Sequence, residues 1–481
     1  MRRAILPLLF LAAAAAAADD VAPKLRGALV KLHVTSQGYK LDAPWDKDQP
    51  NTSAGSGVVI QPAVILTPAS NVADHILIEV SVANSARKYP AKLKHVDYGI
   101  GLALVEIADE GLAASLAPLE VGDPVRLDDE FDVYQLGEEN VLERSTGRVV
   151  RSDTDGARLL LQLKTTCSDA GNGQLAVRGG KVAGLVVATN SSKQEGTLLS
   201  VETLRHYVDD FADGDYRGCP AGGIWFHPLL RDDLREYYGV GDKDHGVVIS
   251  RVIPGRTGDG VLREGDVLTE ADGYALDDEG MFLHETHGRL AASYLFRGRR
   301  YAGDKIPAKA LRGGKVVDLE LTLRAWPDSE RRVPERVVDR RPEFLVVGGL
   351  VVLELSSELV GERLRSLGEL VLRRYRDRAE WDPPDARKRI VVADRVLADP
   401  ANKGFEDLSK EVIESVNGRK ILEIKDVADA LEHPDRGFHV FRFEGLENDY
   451  VIRADQLKEI DARVAQTYKV TRSRYLAGDP E

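Results

Sequence analysis

The stretch Thr165-Thr166-Cys167-Ser168-Asp169-Ala170-Gly171-Asn172-Gly173-Gln174-Leu175 sets groups that can attack carbonyl carbons, a thiol and hydroxyls, beside a glycine-rich turn. A turn of this kind can aim backbone N–H groups at a developing oxyanion. A serine in it still needs a base to take its proton and a carboxylate to orient that base. Ser168 is the hydroxyl within the loop, and His33, His75, His95 and His206 are the imidazoles in the same part of the chain. Cys167 as nucleophile would need a base of its own. A second chemical run, His284-Glu285-Thr286-His287, brings its second histidine one residue too early for the His-Glu-x-x-His spacing. That spacing puts two zinc ligands one helical turn apart, so these are read as surface residues, and no metal or other cofactor is expected.

The elements that must hold the loop are short and β-rich. Downstream, Ala176-Val177-Arg178-Gly179-Gly180-Lys181-Val182-Ala183-Gly184-Leu185-Val186-Val187 reads as a hairpin and a buried strand. Upstream, strands are expected at 28–34, 57–60, 64–67, 76–80, 102–107 and 159–163, a spacing that suggests a sandwich or barrel. The polar, Pro-containing run Ser36 to Ser56 reads as an extended surface loop. With 481 residues the chain has room for about three ordinary domains. A net charge of −13 without a dominant basic patch argues against nucleic acid as a partner. Residues 1–18, Met1-Arg2-Arg3 followed by an apolar run from Ala4 to Ala18, read as a secretory signal peptide. No other run approaches a membrane span, so the mature protein is expected to be exported, periplasmic or secreted. Only two cysteines occur, Cys167 and Cys219; a disulfide between them and two buried free thiols both stay open.

Several segments resemble the HtrA/Deg (Do-like) branch of the trypsin-fold serine proteases. Leu175, Gly180, Val182 and Gly184 keep the spacing that follows the family's Gly-Asn-Ser-Gly-Gly-Pro-Leu loop. Ser53-Ala54-Gly55-Ser56-Gly57-Val58-Val59-Ile60 is similar to its Gly-Ser-Gly-Val-Ile-Ile strand. Ile65-Leu66-Thr67-Pro68-Ala69-Ser70-Asn71-Val72 resembles the base-bearing segment, Arg87-Lys88-Tyr89-Pro90-Ala91-Lys92-Leu93 the Arg-Lys-Tyr-Pro-Ala-Lys-Val run, and Asp97 to Val105 the acid-bearing segment. The resemblance places the base on Ser70, the orienting acid on Gly101 and the nucleophile on Gly171. None of these can perform the chemistry, so the triad is degenerate while its frame is kept. Asn172 and Gln174 also replace the Gly and Pro of the family loop.

The resemblance continues downstream. Gly246-Val247-Val248-Ile249-Ser250-Arg251-Val252-Ile253-Pro254-Gly255 and Leu262-Arg263-Glu264-Gly265-Asp266-Val267-Leu268 are similar to the family's PDZ domain, with Asp272-Gly273 as a turn and 316–323 as the closing strand. Gly222, Gly223, Ile224, Trp225 and Phe226 are the candidate peptide-binding loop and strand, with core packing as the competing role for Trp225 and Phe226. From Glu343 to Tyr468 a second, degenerate PDZ domain is expected, with a strand and Asn417-Gly418 turn at 412–418 and an amphipathic helix at 424–431. Leu364 to Glu380 should be an Arg-rich helix with a solvated face.

The implied fold is mainly β with some α, a trypsin-like double β-barrel followed by two PDZ-like domains. The expected order is a trypsin-like domain at 25–210, a linker at 209–220, a PDZ domain at 221–325, an exposed linker at 326–342 and the second PDZ domain at 343–468. The implied partners are unfolded or extended polypeptides, C-terminal peptides and further copies of the chain. The expectation is a pseudoprotease acting as chaperone, scaffold or regulator in protein quality control. An active serine endopeptidase with a rebuilt site and a structural envelope assembly protein are the alternatives.

Overall fold

Short strands with one apolar face bury that face most completely by closing on themselves. In the computed structural model, which describes residues 23–167, 172–360, 367–379 and 386–480, this happens twice. Strands β1 (Leu29–Ser36), β2 (Asn51–Gln61), β3 (Val64–Pro68), β4 (His75–Val82), β5 (Tyr89–Asp97) and β6 (Leu102–Ile107) close in the order β1-β2-β3-β6-β5-β4. Strands β7 (Glu130–Leu136), β8 (Leu142–Asp155), β9 (Arg158–Thr165), β10 (Gln174–Arg178), β11 (Lys181–Asn190) and β12 (Glu195–Ser200) close as β10-β11-β12-β9-β8-β7. Leu29, Val58, Leu66 and Leu104 of the first barrel share one apolar cluster with Leu175, Val182 and Leu185 of the second. Asn172 and Gly173, which lead into β10, are thereby held against the first barrel. The β10–β11 hairpin turns at Gly179 and Gly180, whose φ values of +58° and +77° suit glycine and a two-residue hairpin turn.

A third sheet follows. It contains β13 (Ile224–Pro228), β14 (Val247–Val252), β15 (Val267–Ala271), β16 (Tyr274–Ala275), β19 (Lys305–Arg312) and β20 (Lys315–Thr322), with β13 at one edge and β20 at the other. A separate hairpin, β17 (Met281–His284) with β18 (Gly288–Ala291), and a 3-10 turn at Ala292–Phe296 fill the span between β16 and β19. Leu159 of β9 is fully buried among the core residues of this sheet, which joins it to the second barrel. The run 209–220 is not a free linker. The helix Val201–Ala212 extends into it, and buried Asp210 accepts the backbone N–H groups of Arg217 and Gly218 at 3.3 and 2.7 Å.

The chain divides into two compact units. One runs to Ser36 and resumes from Asn51 to Ala325; the other comprises Gln37–Pro50 and Trp326–Glu481. The second unit has a sheet of β21 (Phe344–Val347), β22 (Leu350–Glu354), β23 (Val391–Val396), β24 (Glu411–Val416), β25 (Arg419–Lys420), β26 (Phe438–Phe443), β27 (Tyr450–Arg453) and β28 (Arg474–Tyr475), ordered β27-β26-β24-β23-β22-β21-β28 with β25 on β24. Helices Ile424–Leu431 and Leu457–Tyr468 bury Val427 and Ile460 on it. Within the described residues, the Arg-rich helix spans Leu367–Arg378 and buries Leu372 in the same core.

Two sequence expectations change here. Residues 326–342 are not simply an exposed connector: Val333 is buried in the core of this unit, and Arg389 donates to the carbonyls of Asp328 and Ser329. The expected surface loop 36–56 splits in two. Residues from Asn51 join β2, and Gln37–Pro50 folds with the second unit, Trp45 being 7% exposed. The signal-peptide residues 1–18 lie outside the described residues.

Candidate functional site

The expected base position, Ser70, lies on a single 3-10 turn, Ala69–Asn71, directly after β3, and its side chain is exposed. A polar chain fixes this turn to the glycine loop. Thr67 Oγ1 donates to the Ser56 carbonyl at 2.9 Å, and Asn71 Nδ2 donates to Thr67 Oγ1 at 2.9 Å and to the Asn172 carbonyl at 3.1 Å. Ser56 N–H donates to the same Asn172 carbonyl at 2.9 Å. Asn172 Nδ2 then donates to Ser70 Oγ at 2.9 Å. Gly173 has φ +92°, and a Cβ there would lie 2.4 Å from the Ser56 carbonyl oxygen, so only glycine permits this approach.

The expected acid position is on the same turn's other side. Ala69 N–H donates to the Gly101 carbonyl at 2.9 Å. Asp97 Oδ1 accepts the N–H groups of Gly99 and Ile100 at 2.7 and 3.1 Å, a local turn that presents Gly101 with φ +80°. Ser70, Gly101 and the residue following Gly171 are therefore neighbours, as base, acid and nucleophile must be. The groups they offer are a hydroxyl, a peptide carbonyl and a carboxamide, none of which takes a proton near neutral pH. Gly171 itself, and the alternative nucleophile Ser168, lie outside the described residues.

The histidines that a rebuilt triad would need are engaged elsewhere. His75 Nδ1 bonds the Val72 carbonyl at 2.9 Å, His33 Nε2 bonds Ser81 Oγ at 2.9 Å, and His95 Nδ1 bonds Tyr207 Oη at 2.9 Å. His206 Nε2 bonds the Arg300 carbonyl at 3.1 Å. Burial pushes His33, His95 and His206 below the ordinary imidazole range. Cys167 and Cys219 are free thiols, so the disulfide is absent. Cys167 is buried in the second barrel, where Thr165 Oγ1 donates to its sulfur at 2.9 Å. Cys219 Sγ lies 3.8 Å from His206 Nδ1. Burial pushes both thiols up, away from the thiolate form that attacks.

The candidate peptide strand presents a different surface. Among the described residues β13 pairs with β14 on one side only, with Ile224 opposite Val252 and Phe226 opposite Ile249. Ile224 and Phe226 pack against the sheet's core, whereas Trp225 is 43% exposed. Gly223 carries φ +144°, with its carbonyl accepting Ile253 N–H at 2.8 Å. A Cβ on Gly222 would meet the Arg297 guanidinium, 2.6 Å from Nη2, so a cation lies directly against the glycine pair. No motif points to Arg297, which follows the turn Ala292–Phe296 and meets the pair only in the fold.

Residues 333–475 match the PDZ domain family. The chain is similar to protease Do-like 2, chloroplastic, of Arabidopsis thaliana: 28% identical over 430 residues, covering 87% of this chain and 70% of that protein. It is 24% identical over 399 residues to protease Do-like 4, mitochondrial, of the same plant, covering 81% and 73%. A variant of the HtrA-type protease AlgW, solved with a decapeptide, shares the fold with TM-score 0.51 and 18% identity over 64% of this chain and 97% of that one. The chain is thus similar to Do-like (HtrA/Deg) proteases over most of its length.

The run 284–287 also departs from expectation. His287 is buried, not a surface residue. Its Nε2 lies 2.6 Å from Glu202 Oε1 and its Nδ1 lies 3.2 Å from Ser152 Oγ. The hairpin β17–β18 thus inserts an imidazole between β8 and the helix Val201–Ala212. Burial opposes ionisation of Glu202, yet its hydrogen bonds and the charge of His287 together hold the carboxyl below the ordinary range. No helix among the described residues is long and apolar enough to cross a membrane.

Proposed function

We propose that this chain is an exported, non-proteolytic HtrA/Deg homologue that holds unfolded or extended polypeptide segments. The observation that carries the reading is the hydrogen bond from Asn172 Nδ2 to Ser70 Oγ, together with the residue types Ser70, Gly101 and Gly171 at the expected base, acid and nucleophile positions of the sequence. A hydroxyl stands where an imidazole would take a proton, and it accepts an amide N–H instead. The binding element is β13 within residues 221–325. Its free edge can add an extended peptide strand, and Gly222, Gly223 and Arg297 lie where a terminal carboxylate would end. The AlgW variant solved with a decapeptide supports this assignment. The role is that of a chaperone, scaffold or regulator in protein quality control, carried out by a homo-oligomer.

The test is fluorescence-polarisation binding of a labelled apolar decapeptide with a free C-terminus to the full chain. Saturable binding is expected, weakened about tenfold by Trp225→Ala and by amidation of the peptide's C-terminus, each about 1.4 kcal/mol. Binding that is absent, or indifferent to both changes, overturns the assignment.

A further inference from the structure

The segment Gln37–Pro50 joins β1 to β2 by chain connection but folds with the C-terminal unit. It has its own hairpin shape: Tyr39 bridges Lys47, Lys40 N–H donates to the Asp46 carbonyl at 3.1 Å, and Asp48 N–H donates to the Gly38 carbonyl at 2.9 Å. A turn in which Asp46 N–H donates to the Ala43 carbonyl at 2.8 Å presents Trp45. The Trp45 ring enters the apolar core 6.3 Å from the Phe344 ring of β21. Thr471 Oγ1 donates to the Trp45 carbonyl at 3.1 Å. The Arg341 guanidinium lies between two rings, 4.8 Å from Tyr39 and 5.1 Å from Tyr475 of β28. Asp42 faces Arg395 at 3.9 Å.

These are the features of a recognised ligand: a preshaped hairpin, one buried aromatic anchor, a backbone hydrogen bond and a stacked cation. We propose that the edge formed by β21, β28 and Thr471 is a binding site for a Trp-bearing hairpin, and that this chain fills it with its own residues 37–50. The site is therefore closed to foreign peptides in the intact protein. The inference does not depend on client capture at β13, which is a different sheet.

Connection to the barrel makes the test direct. Ser36 and Asn51 pair across the β1–β2 ladder, so a two-residue Asn-Gly turn can replace Gln37–Pro50 without altering either strand. The probe is a labelled synthetic peptide of residues 37–50, added to the full chain carrying that replacement. Saturable binding is expected, at least about tenfold weaker for the peptide with Trp45→Ala and for the intact chain as receptor. A folded, monodisperse replacement chain that binds no peptide, or an intact chain that binds equally well, overturns the proposal. Should the replacement chain not fold, hydrogen exchange on the full chain with Trp45→Ala decides. Exchange at least about tenfold faster in Phe344–Val347, with β5 and β6 unchanged, supports self-filling; unchanged exchange in Phe344–Val347 contradicts it. Loss of protection in 37–50 on dilution of the intact chain would mean that a second copy supplies the hairpin, which also overturns self-filling.

Discussion

Removing either member of the His287–Glu202 pair should loosen the third sheet from the second barrel, and the two losses should not add. The His287 side chain is fully buried and that of Glu202 is 22% exposed. A charge-assisted hydrogen bond of this kind contributes about 1.5–3 kcal/mol, and orphaning one partner of a buried pair costs about 3–5 kcal/mol. The residual exposure of Glu202 lets water recover part of that cost, so His287→Ala is expected to lose about 3 kcal/mol. At about 2 °C per kcal/mol for a unit of this size, the melting midpoint falls by about 6 °C. A double-mutant cycle of His287→Ala and Glu202→Ala should show a coupling of about 2 kcal/mol in denaturant unfolding. The pH dependence has a definite sign. Glu202 has a lowered pKa in the folded state, so its contribution is complete above its ordinary value of 4.5 and is lost as pH falls through the folded value. The difference between the native protein and Glu202→Gln should therefore shrink only below about pH 4.5. A coupling under about 0.5 kcal/mol, within ordinary additivity, would refute the pairing as a joint between the two elements.

The C-terminal unit should show the opposite pH trend. Burial pushes Glu354 up to about 7 and Asp461 up to about 6, so the folded state binds more protons than the unfolded one between their ordinary and raised values. Its stability should fall as pH rises from about 5 to 7, and Glu354→Gln should flatten that slope in thermal melts. Gly173→Ala combines a positive φ with a Cβ 2.4 Å from the Ser56 oxygen, and should cost about 2–4 kcal/mol in denaturant unfolding. Reductant should leave the melting midpoint unchanged, because Cys167 and Cys219 are unpaired, and Ellman's reagent should find buried Cys167 only after unfolding.

The barrels were legible because their signal is local. The expected strand at 102–107 is the observed Leu102–Ile107, and the Gly179-Gly180 turn follows from residue type alone. The strand and turn at 412–418 and the helix at 424–431 appear as Glu411–Val416 and Ile424–Leu431 for the same reason. Trp45 and His287 were misread because their partners are distant in sequence. A single tryptophan in a polar run has no periodicity, and nothing in it points to Phe344 or Thr471. His287 resembles a solvated histidine until the hairpin brings it to Glu202, 85 residues away. At the cleft, the residue types at 70 and 101 were readable, but the Asn172 bond that occupies Ser70 is a product of the closed barrels.

The measurement closest to the central claim is incubation of the purified full chain with a reduced, unfolded protein, following the intact substrate over hours with and without a serine-hydrolase inhibitor. The residue types Ser70, Gly101 and Gly171 at the expected triad positions predict an undiminished substrate band in both arms and suppressed aggregation of that substrate. Inhibitor-sensitive cleavage that copurifies with the chain would contradict the account and direct attention to Ser168 as the displaced nucleophile.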